Sequence, residues 1–117
     1  MDFHAEFRKS IKLFPGLEGL IFVDPDGEAV LFEAPNMDPF DVQLAGARVP
    51  ILQNNYPLME NEKTPKVVEL QFRRRYVLSI RLNQEYSITA IGRSIKERSA
   101  IKFHLTTLAK SFNKEII

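Results

Sequence analysis

Phe3, Phe7 and Ile11 recur every fourth residue, which predicts a short amphipathic helix that Phe14 extends loosely and Pro15-Gly16 ends. A denser run follows, Leu17 to Asp24, whose centre Leu20-Ile21-Phe22-Val23 predicts a strand. Asp24-Pro25-Asp26-Gly27 reads as a type I turn closed by a left-handed glycine, a common three-residue hairpin connection. Glu28 to Glu33 is then the returning strand, and Ala34-Pro35-Asn36-Met37 leads out of it.

Asp38 to Leu52, DPFDVQLAGARVPIL, has more apolar surface than one buried face requires. Asp38 suits a helix N-cap and Pro39 the first helical position. Phe40, Leu44, Ala47 and Ile51 make one stripe, and Val42, Ala45, Val49 and Leu52 make a second, rotated around the helix. A surface helix ordinarily has one stripe and a polar back. Two stripes predict that one packs on the chain's own sheet and the other meets a neighbour, the alternative being a helix buried on both sides within one domain. Pro50 removes a backbone donor and crowds the preceding turn, so regular helix is expected from Pro39 to about Val49. Residues 53–66, QNNYPLMENEKTPK, form a polar connection that is long for a compact domain.

Val67 to Phe72 predicts a third strand and Arg73-Arg74-Arg75 a turn. From Tyr76 to Leu82 the pattern alternates, Tyr76, Leu78, Ile80 and Leu82 against Val77, Ser79 and Arg81. Asn83-Gln84-Glu85 turns the chain into a fifth strand, Tyr86 to Ile91, which Gly92 breaks. Ser94 is placed to cap a last helix, with Glu97 positioned for a capping box and an apolar stripe at Ile101, Leu105, Leu108, Phe112 and Ile116. The order is helix-strand-strand-helix-strand-strand-strand-helix. Hairpin-length turns on either side of one helical crossover predict an α+β fold with a five-stranded antiparallel sheet and helices packed on it. With 117 residues the chain reads as a single domain, 1–117.

Composition narrows the function classes. A net charge of +1 argues against broad attraction to nucleic acid or an anionic membrane. The chain has no cysteine, which removes disulfides, thiol nucleophiles and cysteine-based zinc sites. The first ten residues, MDFHAEFRKS, do not form a signal peptide, and no apolar run approaches the ~18 residues of a membrane span, so a cytoplasmic protein is expected.

Chemistry is poorly represented. His4 and His104 lie on opposite terminal helices without metal-ligand spacing, and His104 falls at a boundary between stripe positions. Asp24 and Asp26 lack the remainder of a calcium loop and are explained by their turn. No phosphate-cradling glycine loop or nucleophile elbow occurs, so neither an enzyme nor a cofactor is expected. Arg73-Arg74-Arg75 beside Phe72 and Tyr76 could serve single-stranded nucleic acid or an acidic protein surface, but reads first as a solvated hairpin tip. Arg93, Lys96 and Arg98 also read as a solvated face. More informative is Val67 to Phe72: at a sheet edge it would expose unpaired backbone beside apolar side chains, where a second copy could pair about a two-fold axis.

This element order resembles the roadblock family, which includes roadblock-type dynein light chains and bacterial MglB-type regulators. GLEGLIFVDPDGEAVLFEA matches the first helix end and hairpin, DPFDVQLAGARVPIL the central helix, and YVLSIRLNQEYSITAIGRSIKERSAIKFHLTTLAKSF the last strands and helix. The resemblance implies a roadblock/profilin-like sandwich and a homodimer, or a heterodimer with a related subunit, with a sheet continuous across strand three and paired central helices. It also implies work beside a small Ras-like GTPase as GTPase-activating regulator, scaffold or adaptor, in settings such as cell polarity and motility. On that basis the dimer contact is placed at Val42, Ala45, Val49, Val67, Glu69 and Gln71, and the partner surface at Gln43 and Arg48. The rival reading is a PAS- or profilin-like sensor holding a small ligand on its sheet.

Overall fold

The structure, a computed structural model, describes residues 1–39, 41–42, 67–93 and 95–116. Helix α1 (Phe3–Leu13) starts where the Asp2 carboxylate accepts the Ala5 N–H at 3.0 Å and stops where the Phe14 N–H reaches Ser10 O. Strands β1 (Leu17–Val23) and β2 (Ala29–Glu33) form the first hairpin. Gly27 has φ 85°, donates to Asp24 O at 3.0 Å, and the Asp24 carboxylate accepts the Asp26 and Glu28 N–H groups, each at 2.9 Å. The turn is therefore the one the residues predict, and both aspartates belong to the hairpin.

Strands β3 (Val67–Gln71), β4 (Tyr76–Arg81) and β5 (Ser87–Gly92) complete one antiparallel five-stranded sheet in the order β2-β1-β5-β4-β3. The central contact, β1 with β5, joins strands from opposite halves of the chain. That leaves β2 and β3 as the two edges, with β3 where strand three is expected. The α+β fold class and element order of the described residues agree with the reading from sequence.

Pleating divides the sheet into two faces. Leu20, Phe22, Leu78, Ile80, Ile88 and Ala90 point to the face covered by α1 and the C-terminal helix α2 (Arg98–Glu115). There Phe7, Ile101, Leu105 and Phe112 are fully buried, so the predicted stripe of the last helix is the one that packs. Ile21, Val23, Val77 and Ile91 occupy the other face, with Ala34, Met37 and Val42 against them. Ser79 and Thr89 are also buried on that face, and the Thr89 hydroxyl donates to Ser79 Oγ at 3.2 Å, pairing two polar groups that burial would otherwise leave unsatisfied.

The start of α2 differs from expectation. The helix begins at Arg98 after a 3-10 turn, Ile95–Glu97, and Glu97 at the N-cap makes no capping hydrogen bond. Its Oε1 instead accepts the Gly16 N–H at 2.8 Å, tying the helix start to the turn before β1. A capping box satisfies only local donors, whereas this bond satisfies an amide in the turn just past α1. Ser94 lies outside the described residues.

The two terminal helices meet at His104. The Ser10 hydroxyl donates to Glu6 O at 2.9 Å, so its 2.6 Å contact with His104 Nε2 is donated by the imidazole. The Phe14 ring stands edge-on to His104. Burial pushes the His104 pKa below its ordinary value of 6.5, with the Glu6 carboxylate opposing the shift. A lowered folded pKa means that the unfolded chain takes the proton first. The stabilisation is therefore complete above pH 6.5 and is lost as pH falls through it towards the folded value. Thermal melts from pH 8 to 5 should show this decline, and His104→Gln should flatten it. An unchanged pH profile in that variant would contradict the assignment.

Candidate interface at the free sheet edge

Strand β3 continues into a tight hairpin whose Phe72 N–H donates to Arg75 O at 2.7 Å. Antiparallel pairs alternate between hydrogen-bonded and non-bonded positions. Counting back from Phe72–Arg75, the pairs Leu70–Val77 and Val68–Ser79 bond to β4, whereas Gln71–Tyr76, Glu69–Leu78 and Val67–Ile80 do not. The N–H and C=O groups of Val67, Glu69 and Gln71 therefore point away from β4, to the free edge. No described strand pairs with them.

The side chains along this edge divide by face. Val67 packs on the core beneath α2, and Glu69 meets α2 through Lys102 Nζ at 3.0 Å and Arg98 Nη1 at 3.9 Å. Half-exposed ion pairs of this kind contribute little to stability. On the opposite face Val68 and Leu70 are half-buried beside the cluster that contains Phe32, Met37 and Val42. A strand added to β3 would lie next to this apolar strip and extend it.

Val67, Glu69 and Gln71 are thus brought together on one edge, with their backbone aimed outward. Val42 is not with them. It has no exposed surface and packs with Ile21, Val23, Val77 and Ile91, so it is a core residue of its own chain and not a dimer contact. Gly19 supplies the reason. A side chain there would meet Ala34 Cβ at 3.3 Å and Met37 Sδ at 3.4 Å, so the bare backbone lets residues 34–37 lie close to the sheet. The Val42 N–H then bonds to Asp38 O at 3.1 Å, the first turn of a helix that carries Val42 onto the sheet. Ala45, Val49, Gln43 and Arg48, together with Phe40, Pro50 and the 53–66 connection, lie outside the described residues. The half-buried pair Val68 and Leu70 is missing from the sequence reading, although their alternation with Val67, Glu69 and Gln71 carries the signal.

At one end of the sheet, Tyr76 lies across from Gly92 in the β4–β5 ladder with its ring over that glycine. Burial, reinforced by the Glu97 carboxylate, pushes the Tyr76 hydroxyl pKa up to about 12, so it stays neutral at any ordinary pH. No group of three metal-ligating side chains is placed to hold an ion among the described residues. No described helix is long and apolar enough to cross a membrane.

Among the described residues, an antiparallel sheet with two terminal helices on one face and strand three at its edge defines an α+β module. Comparison with solved structures identifies the fold. The Roadblock/LC7 domain from Streptomyces avermitilis superposes with a TM-score of 0.80 over 99% of this chain and 98% of that one, at 10% identity. The gliding protein MglB from Thermus thermophilus gives 0.75 over 95% and 85%, at 11% identity, and Myxococcus xanthus MglB gives 0.72 over 97% and 96%, at 10% identity. A further MglB structure, described as a tetrameric arrangement, gives 0.71 at 12% identity over 95% and 85%. No family model and no curated protein sequence matches the chain. The chain has the roadblock fold.

Proposed function

We propose that this chain is a non-catalytic dimeric regulator or scaffold that binds a small Ras-like GTPase, the role implied by its resemblance to the roadblock family. The observation that carries the reading is the free edge of β3, where the backbone groups of Val67, Glu69 and Gln71 face outward beside the apolar strip of Val68 and Leu70. An edge of this composition is a template for another strand, and a two-fold axis through it would join two sheets into one. The second copy is the natural partner, because the same edge is self-complementary. Because Ala45 and Val49 share the apolar spacing of the buried Val42, the proposed dimer contact is confined to the β3 edge, and Gln43 and Arg48 are the proposed GTPase-facing residues. The MglB-like fold, in a set of structures that includes a tetrameric arrangement, supports assembly as the working state.

Light scattering on the purified chain should give twice the 13.5 kDa chain mass at micromolar concentration. Tagged protein incubated with host lysate in the presence of a non-hydrolysable GTP analogue, and again with GDP, should retain a small Ras-like GTPase in one of the two states. A stable monomer removes the dimer. A dimer that retains no GTPase in either state removes the regulatory role and leaves an assembly module.

A further inference from the structure

The end of the sheet opposite the β1–β2 hairpin gathers cations that a net charge of +1 conceals. Arg73, Arg74 and Arg75 from the β3–β4 hairpin and Arg93 just beyond β5 line one depression of about 590 Å³, with Glu18 and Phe72 in its wall. Arg75 and Arg93 also line a second depression of about 330 Å³ that runs on towards Pro35 and Asn36. A small recess of about 60 Å³ on the same arginines is bordered by Phe72 and Ile95, which are 56% and 60% exposed. The three share walls at Arg75 and Arg93 and form one continuous trough.

The charges in this trough are unbalanced. Glu18 is the one carboxylate that lines it among the described residues, and it is already engaged by Arg75 at 3.1 Å. Arg93 reaches the Pro15 carbonyl at 3.4 Å, a contact that orients the guanidinium without neutralising it. Arg73 and Arg74 make no ion pair or hydrogen bond among the described residues. Several guanidinium groups held close together repel one another and favour an anionic partner.

We infer that this trough is a docking surface for an acidic peptide segment of a partner protein. Carboxylates engage Arg73, Arg74 and Arg93, and an apolar side chain of the segment covers Phe72 and Ile95. Guanidinium forks match carboxylates bidentately, and exposed apolar side chains beside them give the segment a desolvated anchor. Arg75 and Arg93 line all three depressions, so the cations form one continuous track that an extended acidic segment can follow. The site needs no residue of a second copy, so it does not depend on the dimer.

The test uses the full chain and a fluorescein-labelled peptide alternating glutamate and leucine, followed by fluorescence anisotropy at rising salt. A lysine-leucine peptide, phosphatidylserine vesicles and an oligo-dT strand serve as competing probes. The acidic peptide should bind saturably, weaken with salt, and shift the amide resonances of Phe72 to Arg75 and Arg93. Arg73→Glu combined with Arg74→Glu should weaken it by about tenfold or more, and Lys110→Glu, which changes the net charge elsewhere on α2, should not. Both arginines are exposed, so unchanged thermal melts of the double variant would show that it folds. No saturable binding, equal weakening by Lys110→Glu, or an Arg73- and Arg74-dependent response to vesicles or oligo-dT without one to the acidic peptide would overturn the inference.

Discussion

Replacing Phe112 by alanine is expected to destabilise the chain by about 3–5 kcal/mol, a large share of the roughly 5–15 kcal/mol that holds a domain together. Phe112 is fully buried and is the hub of an aromatic cluster. Its ring stacks on Phe3 at 3.9 Å and Phe7 at 5.5 Å between centroids and meets Phe22 edge-on at 5.6 Å. Truncation would leave a cavity bordered by α1, β1 and α2 together, which no single element can close. At about 4 °C per kcal/mol for a chain of this size, the melting temperature should fall by roughly 12–20 °C. Phe103 on the same helix is the internal control: it is 77% exposed, and Phe103→Ala should cost less than about 0.5 kcal/mol. Similar losses at both positions would mean that the packed face of α2 is misassigned.

Gly92→Ala is expected to cost about 1–3 kcal/mol through overpacking. A Cβ at this position would fall on the Tyr76 ring, 2.7 Å from Cε1 and closer still to Cζ and the hydroxyl. Tyr76 is itself buried in the helix-covered core beside Leu78 and Ile80, so the ring cannot simply swing aside. Removing the ring should relieve the clash. Gly92→Ala should therefore cost much less in a Tyr76→Leu background than in the native chain, a coupling of about 1 kcal/mol or more read from chemical denaturation. Additive effects would place the two residues out of contact.

Local signals explain which parts of the fold were legible. The β1–β2 turn could be read because Asp24 and Gly27 each have one structural role at one offset. The α2 stripe could be read because Ile101, Leu105, Leu108 and Phe112 repeat at the period of the helix itself. The pairing of β1 with β5 could not, since alternation shows that a strand has two faces but not which strand lies beside it. Val42 failed for a related reason. Two apolar stripes on one helix are equivalent in sequence, and that Val42 faces its own sheet follows from contacts distant in the chain, with Gly19 leaving room for residues 34–37 beside the sheet. Glu97 matched a capping pattern, but the Gly16 amide, distant in the chain, takes its carboxylate. At the candidate interface, the edge at Val67, Glu69 and Gln71 was legible from the crossover before it. The arginine trough was only half legible, because Arg93 joins Arg73, Arg74 and Arg75 only once β5 has been placed between β1 and β4.

The absence of native cysteine makes the shared sheet directly testable. If two copies pair through β3 about a two-fold axis centred on Glu69, the residue in the middle of the outward-facing set, the two Glu69 Cα atoms lie roughly 5.5 Å apart, within disulfide range. Val67→Cys, Glu69→Cys and Gln71→Cys variants, each oxidised under mild conditions at micromolar concentration, would be compared by non-reducing electrophoresis. Near-complete covalent dimer is expected for Glu69→Cys and much less for its two neighbours, which oppose each other across the axis and not themselves. Uniformly low cross-linking at all three positions, in protein that light scattering shows to be dimeric, would contradict pairing through this edge.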